Sequence, residues 1–222
     1  MKKFLLPLTF AAAILAVPVA QAAPVTFTAV LNGPSEAPVN ASPGTGFATV
    51  VFDSALHTMS LTVTFSGLVP LTSLGLPSGT TASHIHCCTA AANAGTVGVA
   101  TETPTFGGFP LGVTSGTYTN LFNLTLASSF NAPFVTNNGG TAAGAEAALF
   151  AGAIANKAYL NIHTTAFPGG EIRGFLVQSR SVPEPGSLTL LALALIGVAV
   201  ASKGQGTGTG AGTGAARVAI RS

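Results

Sequence analysis

Apolar and polar positions alternate with a period of two in a series of short runs between residues 25 and 178. Val25-Thr-Phe-Thr-Ala-Val-Leu31 is the first such run and predicts a strand, ended by Asn32-Gly33-Pro34. Pro43-Gly44 marks a turn, and a second strand runs from Phe47 to Asp53. Thr58 to Phe65 alternates again, with Leu61, Val63 and Phe65 on one face, until Gly67 stops it. Three strands joined by short turns predict an antiparallel meander or Greek-key sheet.

Pro70 to Gly79 reads as a connection, and Ala82-Ser-His84-Ile85-His86 as a further strand. Period two places His84 and His86 on one face and Ile85 on the other. The Gly-, Ala- and Thr-rich stretch that follows predicts a short strand at Val97 to Ala100. A loop then holds Phe106 and Phe109, and another strand spans Tyr118 to Leu126. The helical stretch is Thr141 to Ala155, with a small-residue face of Ala145, Ala148, Leu149, Gly152 and Ala153 and with Thr141 as N-cap. Lys157 to His163 returns to period two, with Tyr159, Asn161 and His163 sharing a face. Phe167-Pro168-Gly169-Gly170 fits a type II turn. It leads into a return strand, Glu171 to Gln178, on which Glu171 and Arg173 point the same way. The fold class expected is all-β, an antiparallel Greek-key β-sandwich with one short helix.

Both ends depart from this pattern. Met1-Lys2-Lys3, an apolar run from Phe4 to Val19 and the small-x-small site Ala20-Gln21-Ala22 make a secretory signal peptide over residues 1–22, cleaved after Ala22. The central domain spans 23–180. The tail, 181–222, begins Ser181-Val-Pro183-Glu184-Pro185 and carries an uncharged run over 188–201 and a Gly-rich end. At 1.5 Å per residue that run reaches about 21–24 Å, short of the roughly 30 Å hydrocarbon core, so it reads as a transient membrane anchor.

Charged residues are only 6% of the 222, against roughly 25% in ordinary globular chains. The formal charge is +2, but the domain from Ala23 to Arg180 holds three basic against five acidic residues and carries −2. It has no basic patch to neutralise phosphates, which excludes nucleic acid as a partner. Asp53 is the sole aspartate and no Gly-x-Ser-x-Gly elbow occurs, so no catalytic residues are assigned. His84, His86 and His163 suit copper or zinc if the hairpin brings His163 close, and equally suit a structural hydrogen-bond network; no cofactor is certain. Glu171 and Arg173 read as an ion pair or as groups that orient a ligand. Cys87 and Cys88, the only cysteines, could form a disulfide with each other, stay reduced, link chains or ligate a soft metal.

Two motif sets carry resemblances. His84-Ile-His86, then Ala158-Tyr-Leu-Asn161-Ile-His163-Thr164 and Pro168-Gly-Gly-Glu171-Ile-Arg173-Gly174, resemble the CHRD domain, named from chordin and widespread in secreted bacterial proteins. That resemblance implies a β-sandwich and an exported, non-enzymatic role at the cell surface or in the extracellular matrix. Polysaccharide or protein would be the partner there; the alternative is a protein-binding module. Pro183-Glu184-Pro185, the apolar run and the basic residues after it resemble the PEP-CTERM sorting signal of Gram-negative bacteria. This implies recognition by an exosortase and a transient stay in the inner membrane on the way to the periplasm, outer surface or medium. The His-x-His strand, the later His163 and Arg173 just before a glycine are also similar to copper/zinc superoxide dismutases. That likeness implies copper on His84, His86 and His163, an anion-steering Arg173, and a copper-binding or redox protein. A fourth copper histidine and a zinc cluster are absent from the pattern.

Overall fold

The computed structural model describes residues 23–70 and 79–179. The leader with Ala20 and Ala22, the sorting motif Pro183-Glu184-Pro185 and the apolar run at 188–201 lie outside the described residues. Among the described residues, no helix is long and apolar enough to cross a membrane.

Strand β1 (Val25–Asn32) buries Phe27, Ala29 and Leu31, and it ends where Asn32 Oδ1 accepts from the Ser35 amide at 2.8 Å. β2 (Thr45–Asp53) and β3 (Thr58–Ser66) continue the meander, burying Ala48, Val50 and Phe52, then Met59, Leu61, Val63 and Phe65. β4 (Thr80–His86), β5 (Gly116–Asn123), β6 (Tyr159–Thr164), β7 (Ile172–Phe175) and β8 (Val177–Gln178) complete the sheet. Its order is β4-β6-β7-β1-β2-β3-β5, with β8 beside β1 and every pairing antiparallel. β7 returns beside β1, which is the long-range closure of a Greek key. Inward residues from both ends of this sheet, Ile85 and Leu160 at one and Met59 and Phe122 at the other, belong to one hydrophobic core. The sheet therefore curves over itself as a sandwich-like half-barrel. Each buried Leu or Phe in that core stabilises by about 1.5–3 kcal/mol.

Helix α2 (Ala142–Ile154) packs onto the core, with Thr141 as its N-cap accepting from the Gly144 amide at 3.1 Å. Phe150 meets Phe52 and Phe27 edge-on, at 5.6 and 6.3 Å between ring centroids. A six-residue helix α1 (Ala132–Asn137) precedes it, started by Pro133 in the first turn, where a missing amide hydrogen does no harm. Hydrophobic periodicity cannot show a helix this short.

Three local expectations are corrected. Val97 to Ala100 does not form a strand; Val99 makes a single bridge with His86. The strand expected over Tyr118 to Leu126 starts earlier and ends at Asn123, where Asn123 Oδ1 accepts from both the amide and the hydroxyl of Thr125 and turns the chain. The Phe167–Gly170 turn closes with a 3.0 Å bond from the Gly170 amide to the Phe167 carbonyl, but it is not type II. Type II needs a positive φ at Gly169; the positive angle, 129°, is at Gly170.

Cys87 and Cys88 are joined in a disulfide that rests on Gly152 of α2. A methyl group at Gly152 would meet both sulfurs inside van der Waals contact. We expect Gly152→Ala to lose up to about 2 kcal/mol, the overpacking cost of about 1–3 kcal/mol less the roughly 1 kcal/mol that alanine gains over glycine in a helix. A urea midpoint equal to or above that of the wild type would show that α2 moves off the disulfide without penalty.

Candidate functional site

The register between β4 and β6 builds the site. His84 lies opposite Asn161, His86 opposite Tyr159, and Ala82 opposite His163. Alternation then puts His84, His86, Tyr159, Asn161 and His163 on one face, away from Ile85, Leu160 and Ile162, which enter the core. Arg173 of β7 joins this face opposite Asn161. The three imidazoles form a cluster, with centroids 5.8 Å apart for His84–His86, 5.4 Å for His84–His163 and 6.2 Å for His86–His163. One ring nitrogen from each lies within 4.8 Å of the others.

Each ring spends its other nitrogen on a backbone carbonyl. His84 Nε2 donates to Pro104 O at 2.6 Å, His86 Nδ1 to Val97 O at 2.7 Å, and His163 Nδ1 to Pro168 O at 2.9 Å. A carbonyl only accepts, so these nitrogens carry the protons and the tautomers follow. The lone pairs are left on His84 Nδ1, His86 Nε2 and His163 Nε2. His84 Nδ1 and His163 Nε2 are buried and have no hydrogen-bond partner among the described residues. His86 Nε2 lies 3.1 Å from the Asn161 side-chain amide. Three imidazole lone pairs and one side-chain amide thus gather in one buried place.

The family model for the CHRD domain matches residues 27–176, well over half of the chain. This chain belongs to the CHRD family. The PEP-CTERM protein-sorting motif matches residues 181–203 and makes the chain an exported surface protein handled by exosortase sorting machinery. No curated protein and no solved structure matches it.

Within the CHRD domain, Glu171 and Arg173 do not pair, contrary to the expectation from their shared face. Glu171 is fully buried and takes donors from Ser42 Oγ at 2.6 Å, the Val69 amide at 2.7 Å and Thr164 Oγ1. It ties three segments of the fold together. Arg173 instead donates from Nε to Ser35 O at 2.7 Å and from a terminal nitrogen to Gly95 O at 3.1 Å, with Glu36 Oε2 at 3.9 Å. Its guanidinium lies 4.7 Å over the Tyr159 ring, and that ring also stacks on the His86 imidazole at 4.7 Å and 6°. The Tyr159 hydroxyl and His86 Nδ1 share the Val97 carbonyl. His57 stands apart from the cluster and pairs with Glu146 at 2.9 Å.

Two residues of this site escaped sequence reasoning. Asn161 sits between the histidines in the motif, but an amide carries no metal-ligand signature on its own. Glu36 falls between Pro34 and Pro38, where no periodicity assigns a face. Burial outweighs the nearby Arg173 charge and pushes the Glu36 carboxyl up to about 7. Burial likewise holds all three histidines below the usual imidazole value, His86 at about 4, with mutual repulsion helping at His84 and His86 and the carbonyl bonds opposing.

A pH prediction follows for the protein with no metal added. The folded pKa of His86 lies below its unfolded value of 6.5, so the unfolded chain takes up the proton first as pH falls. Stability is complete above 6.5 and is lost as pH falls toward about 4. Between pH 7 and 5 this amounts to roughly 2 kcal/mol for His86 alone. His84 and His163 act in the same direction. Glu36, raised from 4.5 to about 7, acts in the opposite one, its contribution being lost as pH rises through that window. The measurement is therefore the difference between wild type and His86→Asn in urea titrations with chelator at both pH values. Equal pH slopes for the two proteins would refute the assignment.

Proposed function

We propose that this CHRD-family protein is a non-enzymatic, metal-holding protein of the bacterial cell surface or extracellular matrix, with His84, His86 and His163 as ligands. Two observations carry the reading: on each ring one nitrogen donates to a backbone carbonyl and leaves a lone pair on the other, and one nitrogen from each ring lies within 4.8 Å of the others. Histidine ligands are oriented in this way in metal sites generally. A purely structural network would be expected to satisfy both nitrogens, because a buried unpaired polar atom costs about 1–3 kcal/mol. Two such atoms remain here. Asn161 Oδ1 offers a fourth, oxygen donor beside His86.

The donor set suits copper or zinc. Imidazole binds both well, and no thiolate competes, because Cys87 and Cys88 are oxidised to each other. Bound there, the ion would supply positive charge that the three lone pairs and the amide oxygen require. A dismutase-like role gains no support from Arg173. It is 5% exposed and engaged by Ser35, Gly95, Tyr159 and Glu36, so it is not placed to steer an anion. We place cleavage of a Sec leader after Ala22, with 181–222 as the sorting tail and 188–201 as its transient inner-membrane anchor.

The full exported chain, purified and dialysed against Zn(II) or Cu(II), is expected to retain about one ion per chain by elemental mass spectrometry. His84→Ala and His163→Ala are expected to lose it while keeping the near-UV circular dichroism of the folded protein. Wild type holding no more metal than these variants after loading would sink the reading. Separately, deletion of Val182 to Ser222 is expected to abolish C-terminal processing and surface sorting. Unchanged destination of the truncated chain would count against the tail as the sorting signal.

A further inference from the structure

A second site lies on the far side of the His163 turn. The segment Glu36–Asn40 and the segment Ala166–Gly170 face one another across a cleft of about 340 Å³. That volume is at the small end of ligand clefts and fits a single ring better than a larger molecule. Pro38, Val39, Phe167 and Pro168 line it with apolar surface, and Val39 is 72% exposed. Asn40, which also lines it, is spent on the fold: its amide donates to the Gly170 and Glu171 carbonyls, and its oxygen accepts from the Ser42 amide.

Glu36 is the exception. It lines the cleft yet is only 5% exposed, and its Oε1 has no hydrogen-bond partner among the described residues. That oxygen lies against Gly170, whose φ of 129° and missing side chain let the wall come this close. A buried acceptor without a donor is unfavourable, and a ligand that brings a donor relieves it. Arg173 stands at 3.9 Å from the other oxygen and offsets part of the carboxylate charge. A cationic ligand would therefore gain little at Oε1 and would meet the guanidinium beyond it. An anion would meet the carboxylate. The chemistry left is an uncharged molecule with a hydroxyl to donate and an apolar ring face to lay on Phe167 and the prolines.

We propose that this cleft binds one uncharged sugar ring, with a ring hydroxyl donating to Glu36 Oε1 and the C–H face resting against Phe167 and Pro168. An exported surface protein meets such rings as units of neutral polysaccharide. The proposal rests on the surface location and does not depend on the metal. The two sites are nevertheless neighbours, because Pro168 supplies both a wall of the cleft and the carbonyl that holds His163.

The test is a saturation-transfer NMR titration of the full exported chain with the methyl glycosides of glucose, mannose and galactose, with propylammonium and acetate as charged controls. At least one glycoside is expected to saturate with a Kd of roughly 1 mM, and neither ion to compete with it. Glu36→Gln and Phe167→Ala are each expected to weaken that binding about fivefold, the first because a neutral amide oxygen accepts more weakly than a carboxylate and the second because it removes the apolar contact. Metal content, measured on the same samples, is expected to stay at the wild-type level. If Glu36→Gln does not fold, the half-buried Phe167 decides. No saturation by any of the glycosides, binding indifferent to the folded variants, or competition by propylammonium would each overturn the proposal. A chain that binds sugar but no metal would refute the metal centre and leave this site standing.

Discussion

The antiparallel register between β4 and β6 is the constraint on which the rest of the molecule depends. A slip by one residue would turn His84 and His86 into the core and bring Ile85 out to the polar face. The register is held because Ile85, Leu160 and Ile162 are fully buried in the common core. Hydrophobic burial on one side of the sheet thus positions chemistry on the other. The apolar residues do not touch the candidate site, yet they decide which side chains meet there.

The loops complete what the strands begin. The carbonyls that orient the imidazoles come from Val97, Pro104 and Pro168, none of them in a regular strand. These loops are in turn held by side chains that a sequence reading treats as filler. Thr105 Oγ1 accepts from the Ser83 amide, and Thr101 Oγ1 from the Ile85 amide, so the segment beyond Val97 is laced to β4. The abundance of threonine in a chain with few charges has a structural use here: hydroxyls take the hydrogen-bonding roles that charged groups would fill at greater desolvation cost. Two of the buried charges have dedicated surroundings, Glu171 among three donors and Arg173 between two carbonyls and two aromatic rings.

The disulfide between Cys87 and Cys88 belongs to this loop scaffold more than to the histidine cluster. It follows His86 directly and sits on Gly152, so it fastens the exit of β4 to helix α2. Glycine at position 152 is required by that close approach and not by backbone angle. Gly170 differs, because there both a positive φ and the nearness of Glu36 exclude a side chain.

Period two was enough to determine by sequence alone most of the strands, though not Val97 to Ala100, and the single-face grouping of His84 with His86 and of Asn161 with His163; the small-residue face and the Thr141 cap marked helix α2. These are local properties, set by which residues alternate and which can cap. The sorting tail and the family were legible in short motifs for the same reason. Tertiary structure alone decided which faces meet. Glu171 and Arg173 share a strand face in the sequence, yet they serve different partners, because each looks for donors or acceptors across the fold and finds Ser42 and Val69 or Ser35 and Gly95. Glu36 became a site residue only when the turn after β6, some 130 positions later, laid Gly170 against it. Burial and charge compensation are properties of neighbours in space, and the spacing of residues along a chain does not contain them.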